Sequence, residues 1–534
     1  MKLIVRELCL PLNYKERALK EQAAQRLGIP IRQIIALEIL RKSVDARRNR
    51  VHFRFTVGLE VSEDAALRPA TWQQNQVALW QEVEEVPLIP GAQPLKTPPV
   101  IVGSGPAGLF CSLLLARQGY RPRLIERGQD IDRRIASVEN FQTTRCLNLD
   151  SNVQFGEGGA GSFSDGKLTT RIGDARVNQV LRILVEHGAE PEILYQKKAH
   201  VGTDYIRRVV KEIRRSIIRL GGTVHFDTRL TDIDIHQRQL RGIGINQEQE
   251  WECQVVVLAI GHSARDTYRL LERKGIELTP KACAVGLRVE HPQELIDQIQ
   301  YGRDAGHPRL PPADYHFSHQ EQGLGRSLYT FCMCPGGYVI ASASGEEQAV
   351  TNGMSFFARD SGVANSAVLV TVGPRDWPQS PLGGIIWQEE LERKAFYLGG
   401  GDYSAPAQRV EDFIADRLSS SEELAAAIAT YRPGFNSADL SRLFPAELTT
   451  VIRRGMQAWN SRMPGWISPS VVFTGVESRS SSPVRIKRNT EMCSVSLDGL
   501  YPCGEGAGYA GGIVSSAVDG LKVAESIIKR YNLL

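Results

Sequence analysis

A strand, a glycine loop, a helix and a second strand at residues 99–128 constrain the fold more than any other feature of this sequence. The segment reads PVIVGSGPAGLFCSLLLARQGYRPRLIERG. An apolar run to Val102 predicts a buried strand, a helix is predicted from Pro106 to Gly119, and a second strand is predicted to end at Glu126. This order is typical of a parallel βαβ unit and predicts a Rossmann-like α/β domain.

The glycines of this first loop fit the G-x-G-x-x-G pattern of dinucleotide-binding turns. Gly103 permits a tight turn, Gly105 lets a pyrophosphate approach the backbone, and Gly108 lets helix and strand pack closely. The helix N-terminus offers N–H groups and a partial positive charge to the phosphates. The carboxylate of Glu126 can accept hydrogen bonds from both ribose hydroxyls. The predicted binding residues are Glu126 and Gly103, Ser104, Gly105, Pro106, Ala107 and Gly108. A purely structural glycine turn is the alternative.

A second glycine-rich loop lies near the end of the chain, where residues 501–520 read YPCGEGAGYAGGIVSSAVDG. FAD contains a ribitol chain and an isoalloxazine ring, which NAD lacks, and a second segment of the protein is needed to bind them. Glu505 is predicted to accept a hydrogen bond from ribitol, and Gly504 keeps a side chain out of the way of the cofactor. Gly512 and Ile513 open the last predicted helix, whose positive end can face the flavin. The pair of loops predicts FAD, and a turn that only caps the helix is the alternative.

The 534 residues exceed what one hydrophobic core usually organises, so several domains are expected. Predicted strands and a helix alternate in the first 90 residues, and VHFRFTVGLEV places six apolar residues on one strand face. Five prolines in 83–99 indicate a linker. We expect a ferredoxin-like α+β domain at 1–90, an FAD-binding domain at 98–277 and 491–534, and an inserted β-rich substrate or cap domain at 278–490.

Taken together, these motifs resemble known protein families. GSGPAGLF, LIERG and GEGAGYAGGI resemble the glutathione-reductase-like superfamily of FAD proteins, although that superfamily normally has aspartate where this chain has Glu505. VQFGEGGAGSFSDGKLTTR (153–171), VLAIGHSARDT (257–267), YTFCMCPGG (329–337) and GGGDYSAPAQRVEDF (399–413) are similar to a bacterial family of FAD-dependent dehydrogenases with an uncharacterised substrate. The resemblance implies an FAD-dependent oxidoreductase.

The resemblance also implies further cofactor contacts. It places Arg127 and Arg134 beside the adenosine and pyrophosphate, with an exposed helix face as the alternative for Arg134. It implies that the loop 156–167 lies along the pyrophosphate and flavin, with Lys167 as a charge partner, and that the backbone of Val201 contacts adenine. Gly261 belongs to the Ala-Thr-Gly-type motif, in which this chain has isoleucine in place of threonine.

The reaction is less well defined by the sequence than the cofactor. A second NAD(P) fingerprint and the paired-cysteine helix of disulfide reductases are both missing from the sequence, so that class is not favoured. Cys332 and Cys334 form a C-x-C pair for which a structural role is favoured over a reducible disulfide or a metal site. For His262, next to Gly261, a structural role is also favoured. The sequence predicts no metal site and no particular catalytic residue.

Charge and cysteine usage restrict the partners and the compartment. A net charge of +4 gives little support for nucleic acid or membrane, and no apolar run reaches the roughly 18 residues of a membrane span. The basic stretch 41–54 could contact RNA, but a solvated edge is favoured because aromatic residues do not accompany it on its polar face. Nine scattered cysteines and a start unlike a secretory signal indicate the cytoplasm.

The leading prediction is therefore a cytoplasmic FAD oxidoreductase that acts on a small organic substrate, with NAD(P)H or another compound as electron donor. Two alternatives remain: a flavoprotein that binds or modifies RNA, and a non-catalytic FAD-binding regulatory protein.

Overall fold

The structure is a computed structural model and describes residues 1–47, 50–65, 76–80 and 87–533. The first unit is a four-stranded sheet with one helix, in the strand order β2-β3-β1-β4. Its elements are β1 (Lys2–Pro11), α1 (Glu16–Leu27), β2 (Ile34–Asp45), β3 (His52–Val61) and β4 (Val77–Leu79). The predicted alternation of β3 is confirmed, since Phe53, Phe55 and Val57 are buried. Gly28 ends α1 in the left-handed conformation, at φ 73°.

The second unit contains the predicted βαβ segment. Its elements are β5 (Gln93–Leu95), β6 (Val100–Val102), α2 (Pro106–Arg117), β7 (Arg123–Ile125), α3 (Ile131–Thr144), α4 (Arg176–Glu186), α5 (Gly202–Arg219), β8 (Thr223–His225), β9 (Leu230–His236), β10 (Gln239–Ile245), β11 (Gln249–Glu252), β12 (Val256–Leu258) and α6 (Arg265–Arg273). Strands β9, β10 and β11 form a small antiparallel sheet.

The third unit is rich in β-structure, as predicted. Its elements are β13 (Leu278–Pro280), β14 (Cys283–Pro292), α7 (Gln293–Tyr301), β15 (Ser318–Glu321), β16 (Arg326–Cys334), β17 (Tyr338–Ala341), β18 (Thr351–Met354), β19 (Val363–Val372), α8 (Gly383–Leu398), β20 (Ala405–Arg409), α9 (Val410–Ile414), α10 (Ser421–Ala425), β21 (Phe435–Ser437), α11 (Ala446–Arg462), β22 (Val472–Glu477) and β23 (Val484–Ile486). Its main sheet has seven strands in the order β15-β16-β19-β14-β22-β20-β21, and Trp459 and Trp466 fill the core beside it.

The end of the chain returns to the second unit through β24 (Leu500–Pro502), α12 (Ile513–Arg530) and β25 (Tyr531–Leu533). A five-stranded parallel sheet has the order β24-β12-β6-β7-β8. In it, β12 separates β24 from β6, with Val256 opposite both Leu500 and Val100. The two glycine loops therefore leave the same edge of one sheet, because parallel strands have their carboxyl ends on one side.

Helices α2 and α12 pack together through glycine. A Cβ atom on Gly520 would lie 2.2 Å from the carbonyl oxygen of Ala107. This close approach fixes the start of α2 against α12, and with it the relative position of the two glycine loops.

The mixed α/β class with a Rossmann-like unit, a β-rich unit and a small N-terminal α+β unit is confirmed, while the exact domain boundaries stay a prediction.

The described part of the predicted linker, 87–99, contains a paired strand. Residues 83–86 lie outside the described part of the chain. Strand β5 pairs in parallel with β25, and Gly91 N donates to Ile528 O at 2.8 Å. The reason is that β25 offers an unpaired edge next to the end of α12, and the segment before β6 completes it.

Candidate cofactor site

The first glycine loop has the geometry of a phosphate-binding turn. Gly103 has φ 101°, and a Cβ atom on Gly108 would lie 1.8 Å from the Gly103 carbonyl oxygen. Gly105, by contrast, faces a gap, since its Cβ position is 3.9 Å from Gly159 Cα. Gly105 is the N-cap of α2 and has no side chain to cap the first turn. The first N–H groups of α2 are therefore available to an anion.

Glu126 connects this loop to its surroundings. It follows β7, is 5% exposed and lines the same cavity as Gly105. Its carboxylate accepts hydrogen bonds from Ser104 N and Oγ, both at 2.8 Å, and from Gly128 N and Gly156 N, both at 3.0 Å. These bonds hold two glycine-rich segments at fixed positions beside the cavity.

The second loop contributes to the same cavity. Glu505, Gly512 and Ile513 line it together with Gly105 and Pro106. Burial raises the pKa of Glu505 to about 7, and Lys281 and the backbone N–H of Gly512 offset this only in part. A carboxylate 400 positions after the first loop thus faces the same cavity.

Eleven of the sixteen predicted residues line the cavity. They are Gly103, Gly105, Pro106, Ala107, Glu126, Arg127, Lys167, Gly261, Glu505, Gly512 and Ile513. The remaining five lie behind the lining: Ser104, Gly108, Arg134, Val201 and Gly504. Of these, Gly108 and Gly504 serve close packing, since a Cβ on Gly504 would lie 2.7 Å from the Ala107 Cβ. Ser104 holds Glu126 in place.

Arg134 is not on an exposed helix face, so that alternative is wrong. The side chain is fully buried, and its guanidinium donates to the carbonyl oxygens of Asn152, Val153, Gly156, Glu157 and Gly159. It organises the loop that contains Gly159, which lines the cavity. The sequence contained an indication that Arg134 is buried, because it shares the apolar face of α3 with Ile131, Val138 and Phe141 at helical spacing.

Val201 precedes α5 and lies behind the lining residue Gly166, with its N–H bonded to Gly166 O at 3.0 Å. Between residues 168 and 258 the residues that line the cavity are Thr228 and Leu230, which the sequence prediction missed. Thr228 N donates to Glu126 O at 2.9 Å, so it lies directly beside the predicted ribose-binding residue. Their position follows from the pairing of β8 with β7, which a single sequence does not reveal.

The β-rich unit forms the opposite wall. Its lining residues include Phe331, Cys332, Cys334, Asn352, Glu477, Arg479 and Ser480. Arg288 pairs with Glu477 at 3.0 Å in a buried position. Arg479 belongs to a buried cluster in which Glu392 also binds Arg265. The sequence pattern that could have indicated Glu477 and Arg479 as site residues is the polar run ESRSSS directly after the apolar strand VFTGV.

His262 lines the cavity and is held neutral. Burial, together with nearby Arg479 and Arg265, lowers its pKa to about 3. Its Nδ1 lies 3.0 Å from the hydroxyl of Ser263. The predicted structural role is consistent with this hydrogen bond.

The described residues also bear on metal binding, on the basic stretch and on membrane spans. Within the described ranges, no three His, Cys, Asp or Glu side chains are grouped so as to hold a metal ion. In the basic stretch, Arg47 and Arg54 both pair with Asp45 at 2.7 Å, and Arg48 lies outside the described residues. No helix in the described part of the chain is both long and apolar enough to cross a membrane.

The cavity fits FAD on its own geometry. At Gly261, Gly511 and Gly512, no described atom beyond the neighbouring residues of the chain lies within 4 Å of the Cβ position, so these glycines border open space in the cavity. Among the lining groups, the start of α2 and Glu126 suit a pyrophosphate and a ribose. Glu505 and the start of α12 suit ribitol and a flavin ring.

Comparison with protein families agrees with this geometry. Residues 282–480 match the family "FAD-dependent protein, C-terminal domain-like", and residues 101–154 match the NAD(P)-binding Rossmann-like domain. Residues 2–60 match a domain of unknown function. An uncharacterized protein from Clostridium beijerinckii is 44% identical over 536 residues, covering all of both chains.

The fold and the matched domains define an FAD-dependent protein with a Rossmann-like nucleotide-binding unit. The chain belongs to the family of FAD-dependent proteins that shares this C-terminal domain, together with its Clostridium relative, and its cofactor is FAD.

Solved structures give more distant similarities. Glycine oxidase from Bacillus cereus is 14% identical, with a TM-score of 0.34, covering 81% of this chain and 95% of that one. Glycerol-3-phosphate dehydrogenase from Bacillus halodurans, complexed with FAD, is 11% identical, with a TM-score of 0.34, covering 82% and 65%.

Changing Glu505 to glutamine is expected to alter the pH dependence of apoprotein stability. The folded-state pKa of Glu505, about 7, lies above its value of 4.5 in the unfolded chain. The folded state therefore binds more protons between these values, and wild-type stability falls as pH rises through that window. Relative to Glu505→Gln, the wild-type Tm should drop by a few degrees from pH 5 to pH 8. Parallel Tm profiles for the two proteins would contradict the raised pKa.

Proposed function

We propose that this protein is an FAD-dependent dehydrogenase that acts on a small organic substrate in the cavity between the two glycine loops and the β-rich unit. One observation carries the proposal: Gly105, Glu505 and polar groups of the β-rich unit line a single cavity. The flavin supplies two-electron chemistry, and the protein positions it and the substrate.

The residues proposed for the cofactor follow the cavity from one loop to the other. The start of α2 at Gly105 neutralises the pyrophosphate, and Glu126 accepts hydrogen bonds from the ribose hydroxyls. Arg127 extends this end, where it pairs with Asp266 and stacks on Phe155 at 4.4 Å. Glu505 accepts a hydrogen bond from ribitol at the other end.

The residues proposed for the substrate lie on the β-rich wall. Phe331 is 37% exposed and supplies apolar surface, while Glu477, Arg479 and Ser480 supply a few polar groups. Small-molecule sites commonly combine an apolar lining with a few fixed polar groups that orient the ligand. Arg288 pairs with Glu477, whereas Arg479 shares the Glu392 carboxylate with Arg265, so the charge of Arg479 is only partly neutralised.

The remaining parts of the proposal concern organisation and compartment. We keep the division into an N-terminal domain (1–90), a two-part FAD-binding domain (98–277 and 491–534) and a substrate domain (278–490). All nine cysteines are free thiols, which supports a reducing, cytoplasmic environment. In the described part of the basic stretch, Arg47 and Arg54 pair with Asp45, which favours a solvated edge over the RNA-binding alternative.

The purified protein is expected to be yellow and to release FAD on denaturation. Under anaerobic conditions NADH, NADPH, an artificial dye or a member of a small-molecule panel should bleach the flavin at a rate that saturates with concentration. Absence of flavin, even after FAD is added, would contradict the proposal. A bound flavin that no compound or dye reduces would instead favour the non-catalytic regulatory protein.

A further inference from the structure

A pair of cysteines lies on the wall of the cavity at the end of β16. The register of β16 against β19 shifts between Phe331 and Cys334, and Cys332 has φ 42°. The regular alternation of the strand stops at this point, and Cys332 and Cys334 both line the cavity. The thiol of Cys334 turns back towards its partner and donates to Cys332 O at 3.3 Å.

Two cations hold this short segment. The Arg288 guanidinium donates to Cys332 O at 2.7 Å and lies 3.4 Å from Cys334 Sγ. The Lys167 ammonium donates to the carbonyl oxygen of Met333, between the two cysteines. Positive charge next to sulfur stabilises a thiolate that forms during exchange. At rest Cys334 is protonated, since burial raises its pKa to about 11.

Accessibility distinguishes Cys332 from most other cysteines of the chain. Three cysteines are exposed, and Cys332 is the one of them that lines the cavity; the others are Cys9 and Cys146. Five cysteines belong to hydrophobic core clusters: Cys111, Cys253, Cys283, Cys493 and Cys503. Of these, Cys503 also lines the cavity, but it is buried. An accessible thiol next to a second thiol is typical of redox-active cysteines, in which the second thiol resolves the oxidised first one.

We propose that Cys332 and Cys334 are a redox-active dithiol that exchanges two electrons with the flavin, an inference that rests on the proposed position of FAD in this cavity. Oxidation breaks two S–H bonds and forms one S–S bond. The two electrons and two protons pass to the oxidised isoalloxazine, which becomes the dihydro form. The reverse direction reduces the disulfide to the dithiol. Small thiols and disulfides that exchange at Cys332 are therefore a substrate class for this protein.

The test measures the thiols themselves as well as the flavin. The FAD-loaded protein is oxidised, freed of oxidant, and titrated anaerobically with dithionite. In parallel, the oxidised sample is denatured, alkylated and digested with trypsin. The tryptic peptide 327–359 contains Cys332 and Cys334 and no other cysteine. Cys332→Ser and Cys334→Ser are the test variants. The matched control is Cys146→Ser, because Cys146 is exposed but does not line this cavity.

The wild type and Cys146→Ser should take up twice as many electrons per flavin as Cys332→Ser or Cys334→Ser. Their oxidised peptide should resist alkylation and be lighter than the dithiol by two hydrogen atoms. Full alkylation of this peptide in the oxidised wild type would overturn the inference, even if both serine variants failed to fold. If the peptide is fully alkylated but the protein binds a reducible flavin, the proposed function stays intact. A wild-type protein that binds no FAD would overturn both.

Discussion

Replacing Gly105 with alanine is expected to weaken FAD binding by about 100-fold while leaving the apoprotein folded. The new Cβ has room in the ligand-free protein, since its nearest described neighbour is Gly159 Cα at 3.9 Å. Gly105 has φ −69°, which alanine adopts readily. The methyl group would instead occupy the space of the pyrophosphate. Losing about two charge-assisted hydrogen bonds costs about 3 kcal/mol, which corresponds to the stated loss of affinity.

Gly108→Ala and Gly173→Ala are the matched comparisons. The Gly108 Cβ would lie 1.8 Å from the Gly103 carbonyl oxygen, so this variant should lose about 3 kcal/mol of stability or fail to fold. Gly173 also has free space at its Cβ position but does not line the cavity, so its alanine variant should bind FAD normally. Tm and the FAD dissociation constant separate the three cases. Normal FAD affinity in Gly105→Ala would show that the pyrophosphate lies elsewhere.

Replacing Glu392 with glutamine is expected to destabilise the protein by about 3–5 kcal/mol, the usual effect of breaking a buried ion pair. Glu392 is fully buried and binds Arg265 through two hydrogen bonds of 2.7 Å. It binds Arg479 at 2.9 and 2.8 Å and accepts from Ser478 Oγ at 2.6 Å. Without the carboxylate, two buried guanidinium groups would face each other. Arg265 lies on α6 and Arg479 follows β22, so Glu392 also joins the second unit to the β-rich unit.

Thermal melting measures this effect, with Glu390→Gln as the control because Glu390 is an exposed residue of the same helix. The two arginines hold the pKa of Glu392 well below its usual range. Its contribution to stability is therefore present above the unfolded-state pKa of about 4.5 and is lost as pH falls towards the lower folded-state value. The wild type and Glu392→Gln should thus converge in Tm on acidification. Equal Tm values at pH 7 would show that the cluster contributes no net stability.

The local parts of the site were predictable from sequence. Glycine spacing, the carboxylates at Glu126 and Glu505, and the helix starts at Pro106 and Ile513 depend on neighbouring residues and on backbone geometry. The same holds for the alternating strand β3. Residues of both predicted loops line one cavity, although the loops are 400 residues apart. Their juxtaposition followed from what FAD requires, since the pairing of β24, β12 and β6 leaves no local pattern.

The remaining parts depend on contacts between distant segments. Thr228 faces the cavity because β8 pairs with β7, and Arg134 is buried because a loop folds around it. Arg479 reaches the cavity beside partners that precede it by 87 and 216 residues, Glu392 and Ser263. A single sequence contains no record of such pairings. The periodic face of α3 and the polar run after β22 were weaker signals that could have indicated Arg134 and Arg479.

A crystal structure of the protein with its FAD retained is the most direct test of the central claim. The account predicts one FAD molecule whose pyrophosphate accepts hydrogen bonds from the first turn of α2 at Gly105 and whose ribitol donates to Glu505. An FAD molecule that contacts only one of the two glycine loops, or that lies outside the cavity they share, would contradict it.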